Sequence, residues 1–108
     1  MAELTQEQKQ MVSQFQIYQQ QMQNVLIQKE SMKIQEMEIE RALKELDSQK
    51  QNAYKIAGNI MVSKPASELK KELSETKEEI SVRLKSIEAA EEKLNSKLKE
   101  LQHKLNEM

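Results

Sequence analysis

Residues Asn52 to Pro65 read N-A-Y-K-I-A-G-N-I-M-V-S-K-P, and their composition differs from everything around them. The stretch contains the only glycine of the chain, Gly58, and its only proline. Two runs rich in β-branched and aromatic residues flank Gly58-Asn59, and a Gly-Asn step between such runs is typical of a β-hairpin. Both turn residues tolerate the positive φ that tight primed turns require. The stretch therefore predicts one β-hairpin over about residues 53–64.

Before the hairpin, the sequence repeats every seven residues. A capping-box pattern stands at Thr5 and Gln8, and no glycine or proline follows until the hairpin. Every seventh residue from Leu4 onward is apolar, and these residues form row d. Row a lies three residues before row d, and it is apolar toward its ends and charged in its middle. Row d is Leu4, Met11, Tyr18, Val25, Met32, Ile39 and Leu46, and row a is Gln8, Phe15, Met22, Lys29, Glu36 and Leu43. This heptad predicts a coiled-coil helix over about residues 5–51.

The same repeat returns after the hairpin. Ser67 is the expected N-cap of a second helix, and Glu68 favours the positive end of the helix dipole. The helix is predicted over about residues 67–107. Its row d is Leu73, Ile80, Ile87, Leu94, Leu101 and Met108, and its row a is Lys70, Lys77, Leu84, Glu91, Leu98 and Leu105.

The two heptads pair best as an antiparallel coiled coil within one chain. The expected apolar pairs, symmetric about Gly58, are Leu43–Leu73, Met32–Leu84, Met22–Leu94, Tyr18–Leu98, Phe15–Leu101 and Met11–Leu105. In this register Glu36 lies within a turn of Lys77, and Lys29 lies within a turn of Glu91. Such polar row-a residues typically fix the register of a coiled coil, and a catalytic role for the carboxylates is the alternative reading.

Composition excludes several classes of protein. The chain has 108 residues, of which 32% are charged and 3% aromatic, which suits a narrow helical seam better than a broad core. Its net charge of -1 argues against binding to nucleic acid or to an acidic membrane. The absence of cysteine fits a reducing compartment, and the polar N-terminus is unlike a signal peptide, so we expect a cytoplasmic protein without a membrane span.

No motif for catalysis, cofactors or metals is visible. The single histidine, His103, has no second histidine or cysteine with which to share a metal, and one glycine cannot form a phosphate-binding loop. We therefore expect no enzyme activity, no cofactor and no metal. Six apolar residues lie off the seam and form either ordinary flank packing or a contact surface: Val12, Ile17, Leu26, Ile27, Ile34 and Met37.

The predicted hairpin implies partners. A two-stranded ribbon is marginally stable alone, and its two open edges invite pairing with other chains. We expect several copies to join their hairpins into a shared sheet or barrel, from which the coiled coils project. The expected fold class is therefore mainly α: one domain over residues 1–108, with a long antiparallel two-helix coiled coil joined by a single β-hairpin that oligomerises into a β-barrel platform.

Three segments of the chain resemble the beta-type subunits of archaeal prefoldin. They are Y-K-I-A-G-N-I-M-V at 54–62, S-E-L-K-K-E-L at 67–73, and the glutamine-rich Q-M-V-S-Q-F-Q-I-Y-Q-Q-Q-M-Q at 10–23. The resemblance covers nearly the whole chain, with one departure: the sequence stops at Met108, where the family leads us to expect a short extra tail. It implies a heterohexamer of two alpha-type and four beta-type subunits. It also implies an ATP-independent holdase, which captures unfolded proteins at the coiled-coil tips and passes them to a group II chaperonin.

The resemblance also assigns residues. The hairpin residues for subunit assembly are Tyr54, Ile56, Gly58, Asn59, Ile60, Met61 and Val62. The residues of the client-binding tip are Met1, Leu4, Met11, Val12, Phe15, Leu98, Leu101, Leu105 and Met108. By spacing alone, the tip residues are either the last heptads of the seam or a contact surface, because helix ends fray and methionine suits promiscuous apolar contacts. The alternative function is a structural tether whose hairpin only oligomerises it.

Overall fold

The computed structural model describes residues 4–48 and 52–107. Helix α1 spans Gln6–Asp47, strand β1 spans Asn52–Ala57, strand β2 spans Ile60–Pro65, and helix α2 spans Ala66–Asn106. The predicted order, one hairpin between two long helices, is confirmed. None of the helices in the described ranges is long and apolar enough to cross a membrane.

Helix α1 begins at the predicted capping box. The Thr5 N–H donates to Gln8 Oε1 at 2.8 Å, and the Gln8 N–H donates to Thr5 Oγ1 at 3.1 Å. The helix ends at Asp47, which is earlier than the expected end near residue 51. The Ser48 N–H and hydroxyl both donate to the Glu45 carbonyl, at 3.3 and 2.8 Å. This tight turn replaces the longer-range hydrogen bonds that a continuing α-helix requires.

The hairpin is a two-stranded antiparallel ribbon with the predicted two-residue turn. Ala57 pairs with Ile60, and the pairing continues to Asn52 with Pro65. Gly58 has a φ of 63°, whereas no non-glycine residue in the described ranges has a positive φ. Asn59 therefore does not adopt the positive φ that both turn residues tolerate. A positive φ at the first turn residue alone is the sign pattern of a type II′ turn, in which glycine takes that position.

Helix α2 follows β2 without a loop. It begins at Ala66, directly after Pro65, so Ser67 lies within the first turn and the prediction that it caps the helix is wrong. A helical start at Ala66 places Ala66 and Leu69 on one face, and both are buried there with Leu46 of α1. Burial of this apolar cluster explains why the helix begins before Ser67, the residue that was predicted to cap it.

Two compact units make up the chain: one comprises Met1–Glu30 with Lys85–Met108, and the other comprises Ser31–Leu84. Within each unit, the segments of α1 and α2 run antiparallel. In the unit Ser31–Leu84, Lys70 Nζ lies 3.0 Å from Asp47 Oδ1, and Lys77 Nζ lies 3.2 Å from Glu40 Oε1. Lys77, which comes later in α2 than Lys70, thus contacts the residue that comes earlier in α1, as antiparallel helices require.

In the other unit, the order of the contacts is the same. Lys29 Nζ lies 2.8 Å from Glu91 Oε2, and the ammonium of Lys97 lies 5.2 Å from the centre of the Tyr18 ring. The antiparallel pairing that the heptads predict is therefore present within both units.

Candidate functional site

The hairpin exposes most of its apolar side chains to solvent. The exposed fractions are 66% for Tyr54, 73% for Ile56, 66% for Ile60 and 65% for Met61, while Val62 is 38% exposed. Soluble monomers rarely expose a contiguous group of large apolar side chains, and such a group marks a contact surface. These residues, together with the turn residues Gly58 and Asn59, are the predicted assembly set, and all of them lie in the hairpin.

The exposed residues occupy both faces of the ribbon. Directly paired residues share a face, so the pairing of Ile56 with Met61 puts these two on the face that also carries Tyr54. Ile60 and Val62 lie on the opposite face. In the described part of the chain the sheet has only these two strands, so each strand also has an edge without a neighbouring strand. A ribbon that is apolar on both faces and open at both edges suits enclosure by other hairpins better than exposure to water.

The base of the hairpin packs on the helices through a small apolar cluster. Leu46, Ala66 and Leu69 are 8%, 5% and 6% exposed, and Ala53 of β1 and Leu73 of α2 pack against them. Leu69 lies off rows a and d, and the sequence reasoning missed it. The sequence feature that could have identified Leu69 is an apolar residue next to row a in the first turn of a helix. At this position the base of the hairpin extends the buried surface beyond the seam.

Beside β1, the same elements border a hollow of about 450 Å³. Its lining is mostly apolar and includes Tyr54, Leu69 and Leu73. The charged residues at this hollow are Glu45, Lys55 and Glu72. Among these, Lys55 Nζ lies 3.7 Å from Glu72 Oε2, so a charged contact spans from the hairpin to α2.

A shorter charged contact also joins the hairpin to α2. Lys64 Nζ donates to Glu72 Oε1 at 2.7 Å. This hydrogen bond holds the pKa of the Glu72 carboxyl below its ordinary value of 4.5, with added attraction from Lys55, and it raises the pKa of Lys64 above 10.5. The sequence reasoning missed both pairs, since they join residues of different elements with no shared periodicity.

The seam follows the predicted rows. Every row-a and row-d residue in the described ranges is buried or half-buried, except Leu4, which is 50% exposed. The most buried of them in the two helices are Leu46, Ile80, Leu84 and Leu101. The heptad therefore identifies the inward face of both helices correctly over their whole described length.

One of the two predicted charged contacts in the seam is confirmed. Lys29 donates to both oxygens of Glu91, at 2.8 and 3.3 Å, and this bond raises the pKa of the lysine above 10.5. The pairing of Glu36 with Lys77 is wrong, because Lys77 contacts Glu40 instead. Glu40 follows the residue that faces Lys77 in the symmetric register, whereas Glu36 is almost a helical turn away, so the long lysine side chain meets Glu40 first.

At the free helix ends, the predicted tip residues are mostly folded into the seam. Met11, Val12, Phe15, Leu98 and Leu105 are half-buried. Leu101 is only 8% exposed, and Leu4 is half exposed. Met1 and Met108, the two other predicted tip residues, lie outside the described residues.

Two of the tip residues, Phe15 and Leu98, line one open groove of about 390 Å³ between the helices. The groove is also lined by polar residues, among them Gln19, Gln102 and His103. His103 is largely exposed, and its Nε2 lies 2.9 Å from Glu107 Oε1. The groove therefore offers a shallow apolar floor with a polar rim.

Of the six off-seam apolar residues, five are exposed. The exposed fractions are 52% for Ile17, 45% for Leu26, 68% for Ile27, 47% for Ile34 and 49% for Met37. Val12 is half-buried. Among the residues that the structure describes, no group of three or more metal-binding side chains comes together.

Comparison with known proteins gave a family match and matches to solved structures. The family model described as "Prefoldin subunit" matches residues 9–108. The structure is similar to the crystal structure of the prefoldin beta subunit from Thermococcus strain KS-1, with a TM-score of 0.89. The two sequences are 34% identical, and the match covers 99% of this chain and 96% of the other. A search of curated proteins found no match.

These matches agree with the residues that first suggested the family. The hairpin motif at 54–62 forms the predicted ribbon, and the heptads on both sides form the two helices. The family model extends over nearly all of both helices and over the hairpin. The chain therefore belongs to the prefoldin family, and its fold is that of a prefoldin beta subunit.

Proposed function

We propose that this chain is the beta-type subunit of a cytoplasmic prefoldin, an ATP-independent holdase. In this proposal, residues 1–108 act as one prefoldin-like domain, and four copies assemble with two alpha-type subunits. Their hairpins form a double β-barrel from which the coiled coils project. The helix ends capture unfolded polypeptides and deliver them to a group II chaperonin. Membership of a family of non-enzymatic chaperone subunits supports the general role.

The observation that carries the assembly step is the exposure of the hairpin. Ile56 is 73% exposed, and Tyr54, Ile60 and Met61 are each about two-thirds exposed. Burial of apolar surface stabilises a complex by about 25 cal/mol for each Å² removed from water, so other hairpins would gain by covering these side chains. Barrel closure also removes open strand edges, which otherwise promote uncontrolled aggregation.

Client binding at the helix ends rests on the tip residues. Phe15 and Leu98 give the open groove an apolar floor, and Leu4 exposes half of its side chain. Each contact of this kind is weak, but several coiled coils on one platform would bind an extended chain together through high effective concentration. The ends of helices also open at low cost, so half-buried residues such as Met11 become accessible transiently.

The alternative function, a tether without client binding, is favoured by one observation. Leu101 is almost fully buried in the seam, so the helix end has little permanently free apolar surface. The two functions differ in whether the assembled protein binds non-native polypeptide at all.

The test is an aggregation assay with the assembled complex. The chain is purified together with an archaeal alpha-type prefoldin subunit, and the mass of the complex is measured by light scattering. An unfolding client protein is then heated with and without the complex, in the absence of ATP. The proposal predicts a heterohexamer that suppresses aggregation at a near-stoichiometric ratio. A heterohexamer that leaves aggregation unchanged would support the tether instead.

A further inference from the structure

The hairpin has few attachments to the helices. At its base Ala53 packs against the buried cluster, and at the other strand β2 continues into α2 at the Pro65–Ala66 junction. The large apolar residues nearer the turn are mostly exposed, and of these Tyr54 borders the hollow that Leu69 and Leu73 also line. Few apolar contacts therefore define the direction of the ribbon relative to α2.

Glu72 of α2 adds two charged contacts to the hairpin. Its carboxylate lies 2.7 Å from Lys64 Nζ and 3.7 Å from Lys55 Nζ, and these two lysines belong to different strands. Lys64 pairs with Ala53 and Lys55 pairs with Val62, so both lysines lie on the same face of the ribbon as Ala53. One carboxylate of α2 thus holds both strands, on the face that already packs against the helices.

We propose that Glu72 is a positioning residue, which fixes the direction of the hairpin on α2 so that the hairpin can join those of other prefoldin subunits. The partner is a second prefoldin subunit, and the inference therefore rests on the proposed function. Lys64 and Lys55 are the residues through which Glu72 acts. Its role differs from that of the exposed apolar residues, because Glu72 acts by setting their direction.

A surface ion pair usually contributes little to global stability. The direction of the hairpin relative to α2, however, changes easily where few contacts oppose the motion. A small interaction energy is then enough to narrow the range of directions strongly. Assembly through several hairpins needs each ribbon within a narrow angular range, so a subunit that holds this angle beforehand loses less conformational entropy on binding. The hydrogen bond from Lys64 lowers the pKa of Glu72 and so favours its charged form, and Glu68 also lies close enough to attract Lys64.

The direction of the hairpin can be measured in the isolated chain. Because the sequence has no cysteine, Ser63→Cys in β2 and Ser74→Cys in α2 provide two unique sites for spin labels. Pulsed dipolar spectroscopy then gives the distribution of distances between them. We expect a narrow distribution for the labelled protein and a clearly wider one after Glu72→Ala. Glu79→Ala is the matched control, since Glu79 is an exposed glutamate at the same heptad position of α2.

Charge reversal separates the ion pair from any general effect of the substitution. Lys64→Glu alone should widen the distribution, whereas Lys64→Glu combined with Glu72→Lys should narrow it again. Circular dichroism checks that the helices are intact in each variant, which is expected because alanine favours helix. An unchanged distribution in Glu72→Ala, or no recovery on charge reversal, would overturn the inference.

The link to assembly is measured separately, with unlabelled protein and an archaeal alpha-type subunit. Glu72→Ala should raise the concentration for half-maximal complex formation several-fold, and Glu79→Ala should not change it. A wider hairpin distribution with unchanged assembly would overturn the role of Glu72 in assembly. If the unmodified chain forms no complex, the proposed function fails, while the distance measurement on the free chain still decides whether Glu72 holds the hairpin.

Discussion

The Lys29–Glu91 pair is a charged contact within the seam of the coiled coil. Both residues occupy row a, where an apolar residue would pack better, and both side chains keep about a quarter of their surface exposed. Charged residues at such positions stabilise less than leucine, but they oppose registers in which the charges have no partner. The heptad pattern and the antiparallel pairing predicted this contact, because they place Lys29 within a turn of Glu91.

Replacement of Lys29 by glutamine should lower the melting temperature at neutral pH. Since the pKa of Lys29 is raised above 10.5 in the folded chain, its contribution is fully present below that pH. The contribution is lost as the pH rises through the raised value. Thermal unfolding followed by circular dichroism should therefore show a difference from the unmodified chain at pH 7 that shrinks at strongly alkaline pH.

Lys33→Gln is the control for this measurement, because Lys33 lies one turn further along α1 and is exposed. It should change the melting temperature little at either pH. A difference for Lys29→Gln that stays constant across the alkaline range would contradict the assignment to the ion pair.

Leu69 provides a test of the packing at the hairpin base. The residue is 6% exposed and belongs to the cluster with Leu46 and Ala66. Leu69→Ala should cost about 2–5 kcal/mol of unfolding free energy, the range for a buried leucine whose removal leaves a cavity. Leu26→Ala, at a site that is 45% exposed, should cost less than about 1 kcal/mol. Urea unfolding of the isolated chain measures both, and equal costs would contradict the cluster.

Among the elements, the helices could be predicted more completely than their ends. Seven-residue spacing decides which side chains face inward, and the burial of rows a and d follows it. The start of α2 depends instead on the burial of Ala66 and Leu69 against α1, which no local capping signal reports. The end of α1 is likewise set by the turn at Ser48, because its hydroxyl competes for a carbonyl within the last turn.

The hairpin could be predicted in position and pairing, but its attachment could not. The Gly-Asn turn fixes which residues pair, and the pairing fixes which share a face. The contacts of Lys55 and Lys64 with Glu72 arise only when the ribbon meets α2 at a particular angle. Partner chains, which would cover Ile56 and Met61, are not encoded by any spacing within one chain.

Replacement of Ile60 and Val62 by aspartate should abolish assembly and preserve the helices. Both residues lie on one face of the ribbon, and two charges there would have to be desolvated when other hairpins cover it. Light scattering with the alpha-type subunit should show only free subunits, while the helical circular dichroism signal remains. Val82→Asp, at an α2 residue that is 64% exposed, is the control and should leave assembly intact. Persistence of a hexamer in the double variant would refute the role of the hairpin.

At the scale of the whole molecule, the proposed function divides two tasks between two separate parts of the chain. In this proposal, the hairpin, in the unit Ser31–Leu84, assembles subunits through its exposed apolar residues. In the proposed function, the free helix ends, in the other unit, bind clients through tip residues that include Leu4, Met11 and Leu105. If the tasks are separate, a change at the helix ends should remove client binding without affecting the mass of the complex.

The most direct test of this separation is a complex in which residues 1–12 and the last heptad are both removed. Light scattering measures its mass, and the ATP-free aggregation assay measures client capture on the same preparation. The account predicts an intact heterohexamer that no longer suppresses aggregation. Full suppression by the trimmed heterohexamer would contradict it.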